Sequence, residues 1–144
     1  MPNIEILCKS LNCNVLIIDY RGYGHSTGEP NEEGLHRDAI ATMEHCLNDD
    51  EIDANRLFIF GRSLGGAVAV RLAMEHSNRF KGVIVENTFT SIGDMVDQIM
   101  PLVAKFKGLI QRLYYPTIDR IAAISAPLLL IRGENDEIVP SDHS

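Results

Sequence analysis

The residues best suited to chemistry are Gly61-Arg62-Ser63-Leu64-Gly65-Gly66. They follow a short apolar run, Leu57–Phe60, and precede an alanine-rich stretch, so the GxSxG pattern falls where a strand would turn sharply into a helix. On such a turn a serine is lifted clear of the backbone, and flanking glycines let strand and helix approach closely. A hydroxyl held that way suits acyl transfer, and the Leu64 N–H is the natural donor to a developing oxyanion. The serine still requires a base to take its proton.

A second group follows a later apolar run: Gly133-Glu134-Asn135-Asp136-Glu137-Ile138-Val139-Pro140. Asp136 stands where a carboxylate would orient that base as a histidine. An acidic surface turn is the plainer alternative, because Glu134 and Glu137 flank it. The spacing lacks the glycine and twelfth-position glutamate of an EF-hand calcium loop. No histidine is well placed. Sites built on this turn run serine, acid, histidine along the chain, yet His25, His36, His45 and His76 all precede Asp136. Only His143 follows, seven residues on, with no strand between to carry it back to Ser63. The base is therefore expected to be absent from these 144 residues.

These groups need a scaffold. Val15–Ile18, Leu57–Phe60, Val83–Val85 and Leu128–Ile131 are continuous apolar runs, as strands buried on both faces should be. Helical patterns alternate with them. Leu35, Ala39, Met43 and Leu47 recur every four residues behind a candidate N-cap, Asn31, and Ala67, Val68, Val70, Leu72 and Ala73 form a second helix. The alternation predicts a mostly parallel sheet with flanking helices in one α/β domain, residues 1–144. About 40 residues lie between Glu86 and Pro127, more than a crossover needs. Their apolar stretches over 92–115 read either as a lid, within a region of about 90–124, or as core. Asp19-Tyr20-Arg21-Gly22-Tyr23-Gly24-His25-Ser26 reads as a tight turn at a strand end, in which Arg21 or Asp19 braces neighbouring loops.

Composition excludes several classes. Apolar residues make up 45% and charged residues 23%, ordinary for a globular domain. A net charge of -7 argues against nucleic acid and anionic membrane surfaces as partners. No apolar run spans a bilayer, and residues 1–10 lack a signal-peptide cleavage pattern, which reads as cytosolic. Cys8, Cys13 and Cys46 are scattered and odd in number, so reduced structural thiols are expected. Nothing in the pattern calls for a metal or a cofactor.

DYRGYGHSTGEP (Asp19–Pro30), FGRSLGGAVA (Phe60–Ala69), VENTFTSI (Val85–Ile92) and GENDEIVP (Gly133–Pro140) together resemble the α/β-hydrolase group that contains alpha/beta-hydrolase domain-containing protein 13. The resemblance implies an α/β-hydrolase fold with a helical lid insertion and a Ser63–Asp136–histidine triad. It implies small-molecule or lipidated acyl esters or thioesters as substrates, palmitoyl-proteins among them, and a membrane anchor upstream of the domain. The group's profile overlaps that of serine aminopeptidases. It also places a strand and a His-Gly oxyanion loop before the position of Pro2, and the catalytic histidine beyond His143. On that ground the chain is expected to be an incomplete, inactive copy, with Pro2–Leu11 as the remnant of a crossover helix. The implied strand order leaves a gap in mid-sheet, so the Val15 run is expected to close onto the Leu57 run, or the chain to associate through open edges. A non-catalytic binding domain on the same fold is the rival reading.

Overall fold

The computed structural model describes residues 2–88 and 116–133. Three helices, three strands and a short fourth helix alternate along it: α1 Pro2–Leu11, α2 Glu32–Asn48, β1 Phe58–Arg62, α3 Leu64–Glu75, β2 Gly82–Glu86, α4 Thr117–Ile121 and β3 Leu128–Ile131. The strands form one parallel sheet in the order β1-β2-β3. The expected α/β architecture with a parallel trio is therefore present.

Sequence explains α2 well. Asn31 caps it, its side chain accepting a hydrogen bond from the Gly34 N–H at 2.8 Å, and Glu32 and Glu33 favour the helix N-terminus electrostatically. The four-residue stripe of Leu35, Ala39 and Met43 is buried against Ala67, Val68 and Leu72 of α3. On its other side, α3 covers the sheet: Val70 and Ala73 pack with Val83 and Val85 of β2. Ile121 and Ile124, at and beyond the end of α4, join that cluster, so the later part of the expected lid region packs beside α3. Residues 92–115, which would carry the lid itself, lie outside the described residues.

Ion pairs lock the helices together. Arg71 of α3 lies 2.8 Å from Glu33 and 3.7 Å from Glu32 on α2, and 3.3 Å from Glu75 on its own helix. Arg120 of α4 reaches Glu32 at 2.8 Å. Buried His36 meets Glu75 at 2.9 Å. Burial tends to raise the Glu75 pKa, but His36 and Arg71 outweigh it and hold the carboxyl below its ordinary value.

One expectation fails. Residues 13–20 carry no regular secondary structure and pair with no strand, and Val15, Leu16 and Ile17 are exposed. An apolar run becomes a strand only where a ladder partner is in register, and this run has no ladder bonds to β1. Among the described residues no strand pairs with the outer edge of β1. Leu57 C=O accepts from Lys81 N–H and Ser63 N–H donates to Glu86 C=O, so odd-numbered residues bond toward β2. The N–H and C=O groups of Phe58, Phe60 and Arg62 consequently face away from the sheet. The side chains of Phe58 and Phe60 are 64% and 49% exposed.

Candidate active site

Ser63 sits at the hinge between β1 and α3, with φ 52° and ψ -120°. That left-handed φ is unfavourable for a serine, by about 1–3 kcal/mol, and persists only where the surroundings enforce it. The enforcement is visible. Ser63 N–H extends the β1–β2 ladder by donating to Glu86 C=O at 3.0 Å. Ser63 C=O accepts from Gly66 N–H at 2.9 Å, from Ala67 N–H at 3.4 Å and from the Thr88 hydroxyl at 3.1 Å. Although Ser63 occupies the N-cap of α3, its side chain makes no capping bond. The residue is exposed.

The glycines divide their work unevenly. A Cβ on Gly61 would run into the carbonyl of Gly65, and one on Gly66 would lie 2.7 Å from the Thr88 hydroxyl oxygen. A Cβ on Gly65 would meet nothing within 4 Å. The close approach of strand and helix therefore requires glycine at 61 and 66. At 65 the structure needs only the backbone carbonyl that Gly61 approaches. Leu64, as the first residue of α3, has an N–H with no intrahelical acceptor.

The Asp19–Ser26 segment is the braced turn its sequence suggests. Gly22 and Gly24 take φ of 75° and 53°, which a side chain would resist. The Asp19 carboxylate accepts from the His25 N–H at 3.0 Å, and the Asp19 C=O from the Ser26 hydroxyl at 2.8 Å. Arg21 donates in bidentate fashion to Asp38 of α2, through Nη2 at 2.7 Å and Nε at 3.1 Å. These bonds hold the Asp38 carboxyl below its ordinary pKa. Burial, with the Asp38 charge second, pushes the Tyr20 phenol upward.

Asp136 and His143 lie outside the described residues. Of the other histidines, His36 pairs with Glu75, His45 lies 4.0 Å from Asp49 and His76 caps α3 through its backbone. His25 is bound through its N–H in the turn above. None of these four hydrogen-bonds to Ser63. Sequence reasoning gave no role to Asn87 and Thr88, which bond to the elbow and to the end of β3. An asparagine directly after a strand, where it can adopt positive φ, was the available signal.

Comparison with known proteins agrees with this geometry. A family described as "Serine aminopeptidase, S33" matches residues 8–119. The chain is 39% identical over 97% of its length to the Arabidopsis thaliana alpha/beta hydrolase domain-containing protein WAV2, covering 49% of that protein. It is 38% identical over 97% of its length to Protein bem46 of Schizosaccharomyces pombe, covering 47%. The chain thus spans about half the length of the curated relatives it matches. Among solved structures, an esterase from Pyrococcus furiosus superposes with a TM-score of 0.74 at 22% identity, covering 99% of this chain and 57% of that one, which supports the fold. Mouse alpha/beta hydrolase domain-containing protein 10 gives 0.61 at 22% identity, covering 95% and 63%. With a strand, an elbow serine and a helix in register and relatives at this identity, the chain belongs to the α/β hydrolases, in the family described as serine aminopeptidase, S33.

Proposed function

We propose that Ser63 is the nucleophile of a hydrolase acting on acyl esters or thioesters. The observation that carries the reading is the serine itself: strained, exposed and unused as a helix cap. In this mechanism Ser63 Oγ attacks the carbonyl carbon while a histidine takes its proton. The tetrahedral oxyanion accepts a hydrogen bond from the Leu64 N–H, and Asp136 orients the histidine. Collapse expels the alcohol or thiol, which takes the proton, and leaves acyl-Ser63. Water then adds to the acyl carbon, releasing the acid and restoring the hydroxyl. His36 is held by Glu75 and none of the four described histidines hydrogen-bonds to Ser63, so residues 1–144 alone are expected to turn over far more slowly than a polypeptide that brings a histidine to it.

The test is hydrolysis of p-nitrophenyl acyl esters of increasing chain length by the natural polypeptide. Ser63→Ala should lower kcat by roughly a million-fold, as in other triads. Undiminished turnover in that variant would remove Ser63 from the mechanism.

The family's description favours a second reading, in which the same serine cleaves aminoacyl bonds. Aminoacyl p-nitroanilides turned over faster than acyl esters would select it. A polypeptide that hydrolyses neither would favour a binding domain on a hydrolase scaffold. One relative from Saccharomyces cerevisiae is described as an uncharacterized membrane protein, which supports membrane association of the natural polypeptide. Cell fractionation tests that directly.

A further inference from the structure

Beyond β2 the chain makes two unusual bonds in succession. Asn87 adopts φ 45°, a left-handed conformation uncommon for a residue other than glycine. Its N–H donates to Ile131 C=O at 2.9 Å, and its side-chain Oδ1 accepts from Gly133 N–H at 2.9 Å. Asn87 thus holds the exit of β3 at two points, on either side of Arg132. The next residue turns the other way. Thr88 is about nine-tenths buried, its hydroxyl donates to Ser63 C=O at 3.1 Å, and it fills the space left by the missing side chain of Gly66. One residue earlier, Glu86 C=O accepts the Ser63 N–H at 3.0 Å. Residues 86–88 therefore grip the peptide groups on both sides of Ser63 and, through Asn87, the chain at Gly133. Asp136 follows Gly133 by three residues in sequence.

We propose that Asn87 and Thr88 are positioning residues, a brace that fixes the Ser63 elbow relative to the end of β3 from which the acid-bearing segment departs. The inference deepens the serine-hydrolase reading and rests on it. Neither side chain takes part in bond making. Each acts through another group: Thr88 through the Ser63 carbonyl, Asn87 through the Gly133 amide. The positive φ of Asn87 is what allows both, because it directs the N–H toward Ile131 while the side chain caps Gly133.

Two variants separate positioning from simple packing. Asn87→Gly accommodates φ 45° without strain but removes the Gly133 acceptor, so thermal stability should hold while kcat falls about tenfold with KM nearly unchanged. Thr88→Val keeps the shape and removes the hydroxyl. Ser63 C=O retains its two helix donors, and kcat should again fall about tenfold, with Thr88→Ser restoring most of it. Ester hydrolysis by the natural polypeptide supplies the kinetics. Amide exchange at Gly133, faster in Asn87→Gly than in the parent, reports the brace without reference to activity. If both variants keep kcat within twofold while Ser63→Ala is inactive, the brace is overturned and the nucleophile stands. Thr88→Ser no better than Thr88→Val would also overturn it, since packing alone would then explain the loss. If Ser63→Ala remains active, or the parent hydrolyses no ester, the reading beneath the brace fails and takes the brace with it.

Discussion

The two faces of the three-stranded sheet have the same kind of sequence and different surroundings. On one face, Val83 and Val85 lie sealed under Val70 and Ala73 of α3, and the elbow grows from the end of that contact. On the other, the row Phe60–Ile84–Leu129 runs across the strands with both end residues exposed, and Phe58 and Ile131 flank it, also exposed. Parallel strands read as continuous apolar runs because both faces are normally covered. Helix α3 and residues 86–88 hold the geometry of Ser63, and Glu86, which lies beside Ile131 on the open face, contributes its backbone carbonyl.

Substitutions can break this contrast. The largest effect should come from the covered side. Leu35, fully buried between α2 and α3, should cost about 2–5 kcal/mol when cut to alanine, read by denaturant unfolding. Phe60→Ala, on the open face, should cost less than about 1 kcal/mol despite removing a larger side chain. A Phe60 loss that matches Leu35 would mean the open face is covered in solution. Phe60→Lys sharpens the point. It should suppress concentration-dependent association of residues 1–144 in light scattering, because a charge on an exposed strand edge disfavours strand-to-strand pairing.

A smaller effect is expected at the Arg21–Asp38 clamp, which is partly exposed and therefore screened. The Arg21 hydrogen bonds hold the Asp38 pKa below its unfolded value. The stabilisation is then complete above the ordinary carboxylate pKa of about 4 and is lost as pH falls toward the lowered folded value. Melting temperature measured from about pH 6 down to 2 should show a shallower acid limb in Asp38→Asn than in the parent. Identical limbs would mean the clamp adds nothing to stability.

How far the sequence could be read follows the same division. The α2 stripe and its Asn31 cap, and the position of the elbow, were all legible because each is set by residues close together in the chain. Val15–Ile18 carried the same apolar signal as Leu57–Phe60 and forms no strand, since pairing depends on what lies beside it in space. Local pattern does not encode that neighbour. The roles of Gly66 and Thr88 were hidden for a related reason: their contact joins residues 22 positions apart. The GxSxG pattern directs attention to Gly65, but the packing constraint falls on Gly66 and Gly61. Asn87 was legible in principle, since an asparagine just beyond a strand can adopt the left-handed turn seen with its bonds to Ile131 and Gly133.

The central claim is that the elbow presents Ser63 as an activated nucleophile. Its most direct test is to treat the natural polypeptide with a fluorophosphonate and locate the adduct by mass spectrometry. Covalent attack on phosphorus requires a serine whose proton is being removed, so labelling reports activation independently of which substrate the enzyme prefers. A nucleophilic Ser63 should give one adduct, on Ser63, absent in Ser63→Ala. An unlabelled Ser63, or an adduct carried by another residue, would contradict it.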